Sequence, residues 1–389
     1  MDGLTAEQRE IVGLVREWVD REVVPTAPAL EHADEFPEQL VDDMKGLGLF
    51  GVTIPERYGG LGLDLTTYAL IQVELSRGWM SLSGVTNTHF IAAWMIDAFG
   101  TEDQKERYLA RMATGELRSA FSMSEPHAGS DVQAIRTTAR RDGDGYAIDG
   151  QKMWVTNGLR AGMVMLLAKT DPAADPPHRG MTGFIVEKEP GRPSQRGLEI
   201  SRPLKKLGYR GVETVELAFE GFRVPSSSVL GGAENAGFQQ FMSGIELGRV
   251  NIAARGVGIA TAAFEHAIRY AQERESMGKP IAQHQAIQLK LADMATKLRA
   301  AQLLTLDAAR AKDEGRRADL EAGMAKLFAT EAAEEIVFDA MRIHGGYGYS
   351  EEYPIERLYR DAPLLIIGEG TNEIQRLVIA RRLLDRHAL

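Results

Sequence analysis

The stretch Thr214-Val215-Glu216-Leu217-Ala218-Phe219 decides the fold class, because large apolar side chains stand at every second position. This period is typical of a β-strand with one face against a core. Two apolar runs, Gly162-Met163-Val164-Met165-Leu166-Leu167 and Gly183-Phe184-Ile185-Val186, predict further strands, and Asp142-Gly143-Asp144-Gly145 is typical of a hairpin turn. The middle of the chain is therefore predicted to be β.

On both sides of this region the apolar spacing changes to that of a helix. Near the start, one helix face is predicted to carry Ile11, Leu14, Val15, Trp18 and Val19. Beyond Gly237, one continuous apolar stripe is formed by Ile287, Leu291, Met294, Leu298 and Ala301. Helices, then strands, then long helices predict an α+β architecture with segregated elements rather than a doubly wound sheet.

A chain of 389 residues exceeds the size at which one core usually stops growing, roughly 250–300 residues. We therefore expect three domains. The changes in period place their limits at residues 1–117 for an N-terminal α-helical domain, 118–230 for a middle β domain and 231–389 for a C-terminal helical bundle.

Composition excludes several classes of function. The chain carries 45 Lys and Arg against 55 Asp and Glu, a formal charge of −10, so nucleic acid is not an expected partner. With 0 cysteines there is no disulfide, thiolate metal site or thiol nucleophile, and redox chemistry must come from a bound cofactor. The early acidic residues and the lack of a long apolar segment predict a cytoplasmic protein without a membrane partner.

The common nucleotide and metal motifs are absent from the sequence. Gly256-Val257-Gly258 lies within a helical pattern and lacks both a preceding strand and a third glycine, so helix packing explains it better than dinucleotide binding. No histidines stand at metal-ligand spacing, and no catalytic metal is expected.

Four segments concentrate glycine and hydroxyl side chains, which allow a ligand to approach the backbone and to be hydrogen-bonded at short reach. They are Phe121-Ser122-Met123-Ser124-Glu125-Pro126-His127-Ala128-Gly129-Ser130-Asp131, Lys152-Met153-Trp154-Val155-Thr156-Asn157-Gly158, His344-Gly345-Gly346-Tyr347-Gly348-Tyr349 and Gly368-Glu369-Gly370-Thr371-Asn372-Glu373. One such segment alone would be read as a turn. Four in one chain indicate a ligand site.

In this order and spacing, the four segments resemble those of the acyl-CoA dehydrogenase family, and the likeness runs nearly from end to end. The resemblance implies a middle domain of β-barrel-like form, bound FAD where the three domains meet, and a homotetramer. It also implies an oxidoreductase of fatty acid β-oxidation, with acyl-CoA as substrate and electron-transferring flavoprotein as the electron acceptor.

The resemblance assigns the cofactor contacts residue by residue. Phe121, Met123, Ser124 and Gly129 would lie along the flavin ring, with Trp154 and Thr156 on its other side, and Ser130 would face both cofactor and CoA thioester. An aromatic wall and a hydroxyl that donates to N5 suit a flavin. As a plain structural residue, Trp154 would instead be a core aromatic.

Further contacts to FAD would come from a neighbouring subunit. The resemblance assigns them to Arg274, Gln285, Gly345 and Gly346, and it gives Arg342, Thr371, Asn372 and Glu373 as additional FAD contacts. Arg342 stands where glutamine is common, so its diphosphate contact would be ionic. Met277 replaces an aromatic residue that often packs near the adenosine.

Glu369 is the expected catalytic base. It follows the apolar run Leu364-Leu365-Ile366-Ile367, and a carboxylate in an apolar setting has a raised pKa suited to removing a proton next to a thioester carbonyl. The position where some relatives carry the base instead, just before Arg249, is Gly248. A solvated surface glutamate is the alternative interpretation of Glu369.

The remaining substrate contacts also follow from the resemblance. Glu246 and Arg249 resemble a polar pair on the CoA arm, although Glu246 is one methylene longer than the commoner aspartate. Gly368 and Gly370 flank the base, and the absence of the tyrosine that is common at position 368 favours a short or medium branched acyl group.

The predicted reaction removes the α-proton with Glu369 and passes the β-hydride to flavin N5, giving a trans-2-enoyl-CoA. Two alternatives stay open. A flavin oxidase, a monooxygenase or a carrier-protein-tethered acyl oxidase could share the fold, and a non-catalytic acyl-CoA-binding protein would need neither flavin nor a desolvated base.

Overall fold

The computed structural model describes residues 4–388. In its N-terminal part the chain forms five α-helices, and hydroxyl side chains start several of them. The hydroxyl of Thr5 accepts from the backbone N–H of Gln8 at 3.1 Å, while Thr5 N–H donates to the Gln8 side chain at 3.0 Å. The helices are α1 (Ala6–Trp18), followed by a π-helical turn Val19–Val23, α2 (Val24–Ala33), α3 (Glu38–Gly46), α4 (Leu65–Phe99) and α5 (Glu102–Ala113).

The predicted apolar face of α1 is correct at Val15, Trp18 and Val19, which are buried, but wrong at Leu14, which is exposed. Successive helix residues turn by about 100°, so Leu14 and Val19 lie at opposite borders of the stripe and only one border reaches the core.

Helix α4 runs through the centre of the molecule and is buried along most of its length. At Trp79 the backbone leaves helical geometry, with φ −161° and ψ 115°, so the helix is kinked there. The two halves therefore meet the rest of the protein at different angles, and the second half, with Ser83 and Asn87, extends beside the C-terminal bundle.

The middle region forms one sheet with the strand order β1-β4-β2-β3-β8-β7-β6, and β5 pairs with β4. The strands are β1 (Ser119–Ser122), β2 (Thr138–Asp142), β3 (Gly145–Thr156), β4 (Met163–Lys169), β5 (Met181–Glu187), β6 (Ser194–Gln195), β7 (Leu198–Ile200) and β8 (Thr214–Pro225). The hairpin predicted at residues 142–145 joins β2 to β3, and Gly143 supplies the left-handed φ of 62° that the turn requires. The sheet is curled into a half-barrel.

Long helices return after residue 232 and form the C-terminal bundle. They are α6 (Gly237–Glu273), α7 (Gln285–Asp313), α8 (Asp319–His344), α9 (Ile355–Ile367) and α10 (Asn372–Arg386), with the short strands β9 (Glu275–Ser276) and β10 (Lys279–Pro280) between α6 and α7. Helix α6 packs mainly against α8 and α4, which ties the bundle to the N-terminal helices.

The predicted α+β class, with helices, a curled middle sheet and a terminal bundle, is confirmed. The domain limits at residues 117 and 230 stay predictions. They fall between α5 and β1 and at the short helical turn Leu230–Gly232, respectively. Every helix described between residues 4 and 388 is too short or too polar to cross a membrane.

Candidate active site

Glu369 lies in the four-residue turn between α9 and α10. Helix α9 ends at Ile367, and Gly368 returns the backbone to an extended conformation at φ −71° and ψ 153°. Glu369 then adopts a left-handed φ of 52°, which is uncommon for a residue with a side chain. Such a conformation persists only when its surroundings hold it. Glu369 as a whole residue is partly exposed, whereas its Oε2 is buried.

The carboxylate of Glu369 is enclosed by helices α4 and α6. The side-chain amide of Asn87 on α4 donates a short hydrogen bond to its Oε1. Its Oε2 is buried and has no hydrogen-bond partner among residues 4–388. Oε2 rests on Gly248 of α6, where an added Cβ would come within 1.8 Å of it. A glycine is therefore required at position 248 for the carboxylate to occupy this place.

Burial raises the pKa of Glu369 above its usual range, and nearby groups offset part of this rise. The positive charge of Arg255 acts against burial most strongly, followed by the Asn87 hydrogen bond and the charges of Lys326 and Arg249. A buried carboxylate with a raised pKa and one free oxygen can accept a proton, which is the property required of a general base.

Lys326 holds the turn that carries the base. Its ammonium group, buried on α8, donates to the carbonyl of Ile366 at 3.0 Å and to the side chain of Asn372 at 2.7 Å. Burial lowers the pKa of Lys326 to about 8. The contacts fix both ends of the turn to α8, so that Glu369 is placed by rigid helices on each side.

The segment 121–131 is held against β3 by hydrogen bonds. The buried ammonium of Lys152 donates to Glu125 at 2.9 Å and to the carbonyl of Met123 at 2.9 Å. The backbone N–H of Met153 donates to the carbonyl of Ser124 at 3.0 Å. The first two glycine- and hydroxyl-rich segments therefore form one continuous surface.

Trp154 is displayed on this surface. It lies at a register irregularity of the β3–β8 pair, between Lys152 and Val155, and its backbone has a left-handed φ of 63°. The residue is 61% exposed, so the interpretation as a core aromatic is wrong. A bulge that turns a large indole outward is typical of a ligand wall.

The residues around Trp154 fit an isoalloxazine ring. Phe121 and Met123 are half-buried and offer apolar surface, and the hydroxyls of Ser124 and Thr156 make no hydrogen bond within the described part of the chain. A flat aromatic group with polar edges needs apolar walls and available donors of this kind. Gly129 and Ser130 are exposed at the end of the same loop.

The predicted neighbour-subunit contacts Arg274, Gly345 and Gly346 line a cavity that none of the residues around Trp154 lines. Arg274 lies over the ring of Tyr347 at 5.9 Å, and both line a cavity of about 510 Å³ together with Gly345 and Gly346. Gln285 is exposed at the start of α7, and exposed Arg342 pairs with Asp339 at 3.2 Å. Exposed Arg274 thus has no carboxylate partner within 4.0 Å among the described residues, which suits binding of an anionic group.

The residues predicted to contact the CoA arm stand three positions apart on α6 and make different contacts. Glu246 accepts from Lys312 of α7 at 3.0 Å rather than from Arg249. The Nε of Arg249 is buried without a hydrogen bond to any residue between 4 and 388. Arg249 thus keeps donors available beside the base, whereas the carboxylate of Glu246 already has a partner.

The predicted segment 368–373 both caps α10 and attaches the turn of the base to α8. Thr371 caps α10 by accepting from Ile374 N–H, and Asn372 is buried against α8, where it donates to the hydroxyl of Thr330 at 3.0 Å. Glu373 is exposed. Thr371 and Asn372 thus hold the turn of the base whether or not they also contact a cofactor.

Sequence reasoning missed several residues around the base, namely Asn87, Arg255, Lys326 and Tyr209. Each is polar and buried in the folded chain. Asn87, Arg255 and Lys326 stand within helical stretches without a motif, so their meeting point depends on how α4, α6 and α8 pack. A polar residue on the apolar face of a helix was the available signal.

Glu31, His32 and Glu356 also converge, with ligand atoms within 4.8 Å of one another. Arg360 already donates to both carboxylates, to Glu356 at 2.7 Å and to Glu31 at 2.8 Å. This group is therefore an ion-pair network between α2 and α9.

Comparisons with known proteins place this geometry in context. Family profiles described as the N-terminal, middle and C-terminal domains of acyl-CoA dehydrogenase match residues 5–116, 120–222 and 235–384. The chain is 42% identical over 382 residues to an acyl-CoA dehydrogenase of Bacillus subtilis, covering 98% of this chain and 99% of the relative. It is also 42% identical over 381 residues to a 3-(aryl)acrylate reductase of Clostridium sporogenes, covering 97% and 99%.

Among solved structures, the butyryl-CoA dehydrogenase of Megasphaera elsdenii is similar over the whole length. The TM-score is 0.93 and the sequence identity 35%, and the match covers 99% of this chain and 100% of that structure.

Proposed function

The chain belongs to the acyl-CoA dehydrogenase family, and we propose that it oxidises an acyl-CoA to the trans-2-enoyl-CoA with Glu369 as the base. The observation that carries the proposal is the carboxylate of Glu369, which is enclosed against Gly248 with Oε2 unpaired. A carboxylate in this state can take the α-proton of a thioester without first giving up a strong partner.

The charge that develops on the thioester oxygen requires hydrogen-bond donors. The backbone N–H of Glu369 donates to no acceptor within residues 4–388, because the last helical bond of α9 is made by Gly368 N–H to Leu364 at 2.8 Å. The same residue can thus remove the proton through its side chain and stabilise the enolate oxygen through its backbone.

FAD is the cofactor that the surface around Phe121, Ser124 and Trp154 fits, and when bound it would supply the acceptor for the β-hydride. In the proposal, Trp154 and Phe121 hold the ring and exclude water, and Ser124 and Thr156 donate hydrogen bonds to it. Electrons would then pass to electron-transferring flavoprotein.

Glu369→Gln tests the assignment of the base. The amide keeps the shape of the side chain, so FAD content and acyl-CoA affinity should stay within a few fold of the parent. The rate of flavin reduction under anaerobic conditions should fall by roughly 10²- to 10⁴-fold, the usual contribution of a general base. Glu351→Gln, which changes an exposed carboxylate, is the matched control and should reduce its flavin at the parent rate.

The same titration separates the alternatives. A flavin that bleaches with acyl-CoA and stays reduced until an electron carrier is added supports a dehydrogenase, whereas rapid reoxidation by oxygen indicates an oxidase or monooxygenase. A purified protein that binds acyl-CoA without flavin would be a binding protein. Parent-like flavin reduction in Glu369→Gln would reject Glu369 as the base.

A further inference from the structure

Arg255 on α6 is buried close to the base but has no carboxylate partner. It is 2% exposed. Its guanidinium donates to the hydroxyl of Ser83 at 3.0 Å, to the Ser83 carbonyl at 3.2 Å and to the Tyr209 hydroxyl at 3.4 Å, the last a long contact. These acceptors are neutral, and they use three of the five N–H groups of the side chain.

Burying a guanidinium costs free energy unless a negative charge compensates it. Arg360 shows the usual solution in this chain, since it is paired with Glu31 and Glu356. No carboxylate among residues 4–388 lies within 4.0 Å of Arg255. The carboxylate of Glu369 accepts from Asn87 instead. Arg255 therefore has no directly bonded anion among the described residues, and Glu369 acts on it only through space.

The side chains around Arg255 are polar. The alkyl end of a simple acyl group would instead need apolar side chains around it. Ser83 donates to the Gln72 side chain at 2.6 Å, and Thr86 donates to the same oxygen at 3.3 Å. Asn251, one turn before Arg255 on α6, donates to the Tyr68 hydroxyl at 2.9 Å, and its own side-chain oxygen is buried without a partner. Such a lining favours a ligand group that is itself polar.

The two helices that enclose the base also carry this cluster. On α4, Asn87 contacts Glu369 and Ser83 stands four residues earlier. On α6, Gly248 touches Glu369 and Arg255 stands seven residues later. At 1.5 Å per residue these intervals correspond to about 6–10 Å along the helices. A group at the far end of a short acyl chain, whose α-carbon lies at the base, is at a comparable distance.

We propose that Arg255 is a specificity-determining residue that receives a carboxylate at the far end of the acyl group, so that the preferred substrate is the CoA thioester of a short dicarboxylic acid. The inference rests on the proposed function. The substrate carboxylate supplies the missing counter-ion and accepts the remaining N–H groups, whereas an alkyl end leaves the guanidinium unpaired.

Matched pairs of thioesters test this on the parent enzyme. Glutaryl-CoA and valeryl-CoA, and likewise methylsuccinyl-CoA and 2-methylbutyryl-CoA, differ only in a carboxylate that replaces a methyl group. We expect kcat/KM for anaerobic flavin reduction to be roughly 10- to 100-fold higher for the dicarboxylic member of at least one pair, as a charged hydrogen-bonded pair predicts. Equal values in both pairs, or a preference for the alkyl member, overturn the inference.

Arg255→Leu should abolish the preference for the dicarboxylic member and raise the relative activity on the alkyl member. Arg255→Gln keeps a donor to Ser83, so it should lose the same preference with less risk to folding. Arg269→Leu is the control, because it removes an exposed arginine from the same helix. An equal loss on both members, with a shifted pH profile, would mean that Arg255 acts on Glu369 rather than on the substrate, and would overturn the inference.

The outcomes also separate the two proposals. If the parent flavin is reduced by alkyl thioesters alone, the proposed function stands and the role of Arg255 is rejected. If no thioester reduces the flavin, the proposed function fails, and the inference fails with it.

Discussion

Asn87 lies on α4, 282 residues before the base in the sequence, and its side-chain amide donates a hydrogen bond to the carboxylate of Glu369. This bond favours the ionised carboxylate, whereas burial opposes it. Since the base acts only when ionised, kcat/KM should fall as the pH drops through the pKa of Glu369. That fall should begin above the pH expected for an ordinary glutamate.

Asn87→Leu removes the donor and should raise the pKa of Glu369 further. The acidic limb of the kcat/KM profile is expected to move to higher pH by roughly one unit, the size of a hydrogen bond to a charged group. Gln239→Leu, which replaces an exposed amide on α6, should leave the limb in place. An acidic limb that stays unchanged or moves to lower pH in Asn87→Leu would contradict the assigned role.

At the scale of single residues, the sequence predicted the site residues that lie in the glycine-rich segments and few others. Glu369 and Trp154 were recognised because neighbouring glycines, hydroxyls and apolar runs form a local pattern. Asn87 and Lys326 were not, because each is an ordinary polar residue in its own helix. Their function depends on burial beside Glu369, and burial at a helix crossing is decided by packing.

At the scale of elements, periodicity predicted the strands β4, β5 and β8 and the long helices, since each has a clear apolar face or run. The kink at Trp79 was not predicted. Gly78 directly precedes Trp79, but one glycine inside an apolar helical run does not predict a kink, and the kinked indole is fully buried.

The turn between α9 and α10 leaves space at Gly368 for a side chain. Its φ of −71° is allowed for any residue, and an added Cβ would contact only the Leu364 carbonyl, at 3.2 Å. Gly368→Tyr should therefore fold, while its ring fills space beside the base. We expect the specificity constants for 2-methylbutyryl- and isovaleryl-CoA to fall more than that for butyryl-CoA, by roughly 10-fold or more.

Steady-state kinetics with these three thioesters, before and after the substitution, provide the measurement. Gly13→Ala, on α1 with no atom near the added Cβ, is the control for adding side-chain bulk at a glycine. An equal loss on all three thioesters, or a larger loss on butyryl-CoA, would argue against a role of position 368 in acyl shape.

At the scale of the whole molecule, the cavity at Arg274, Gly345 and Gly346 shares no lining residue with the surface around Trp154. If each FAD is shared between subunits as we expect, the two surfaces belong to one site only after assembly. Arg274→Ala combined with Gln285→Ala should then weaken FAD binding by roughly 10-fold or more and loosen the oligomer together with it. Size-exclusion chromatography with light scattering, alongside flavin absorbance, measures both.

Arg299→Ala, which removes an exposed arginine of α7, provides a charge-matched comparison for this double variant. Full FAD retention in a monomeric double variant would exclude a shared site. Assembly is the part of the structure that a single sequence predicts least directly, because a residue such as Gln285, whose side chain makes no hydrogen bond among residues 4–388, cannot be recognised from its own fold.

The contact between Glu369 and Gly248 restricts how this enzyme could evolve. The carboxylate occupies the volume that any side chain at position 248 would fill, since an added Cβ would lie 1.8 Å from Oε2. In a lineage that moves its base onto α6, a side chain at position 248 displaces the carboxylate of Glu369, and loss of Glu369 first leaves no base. The two positions are therefore coupled, and their substitutions should be non-additive. A change at position 248 alters the position of the base even while Glu369 is retained.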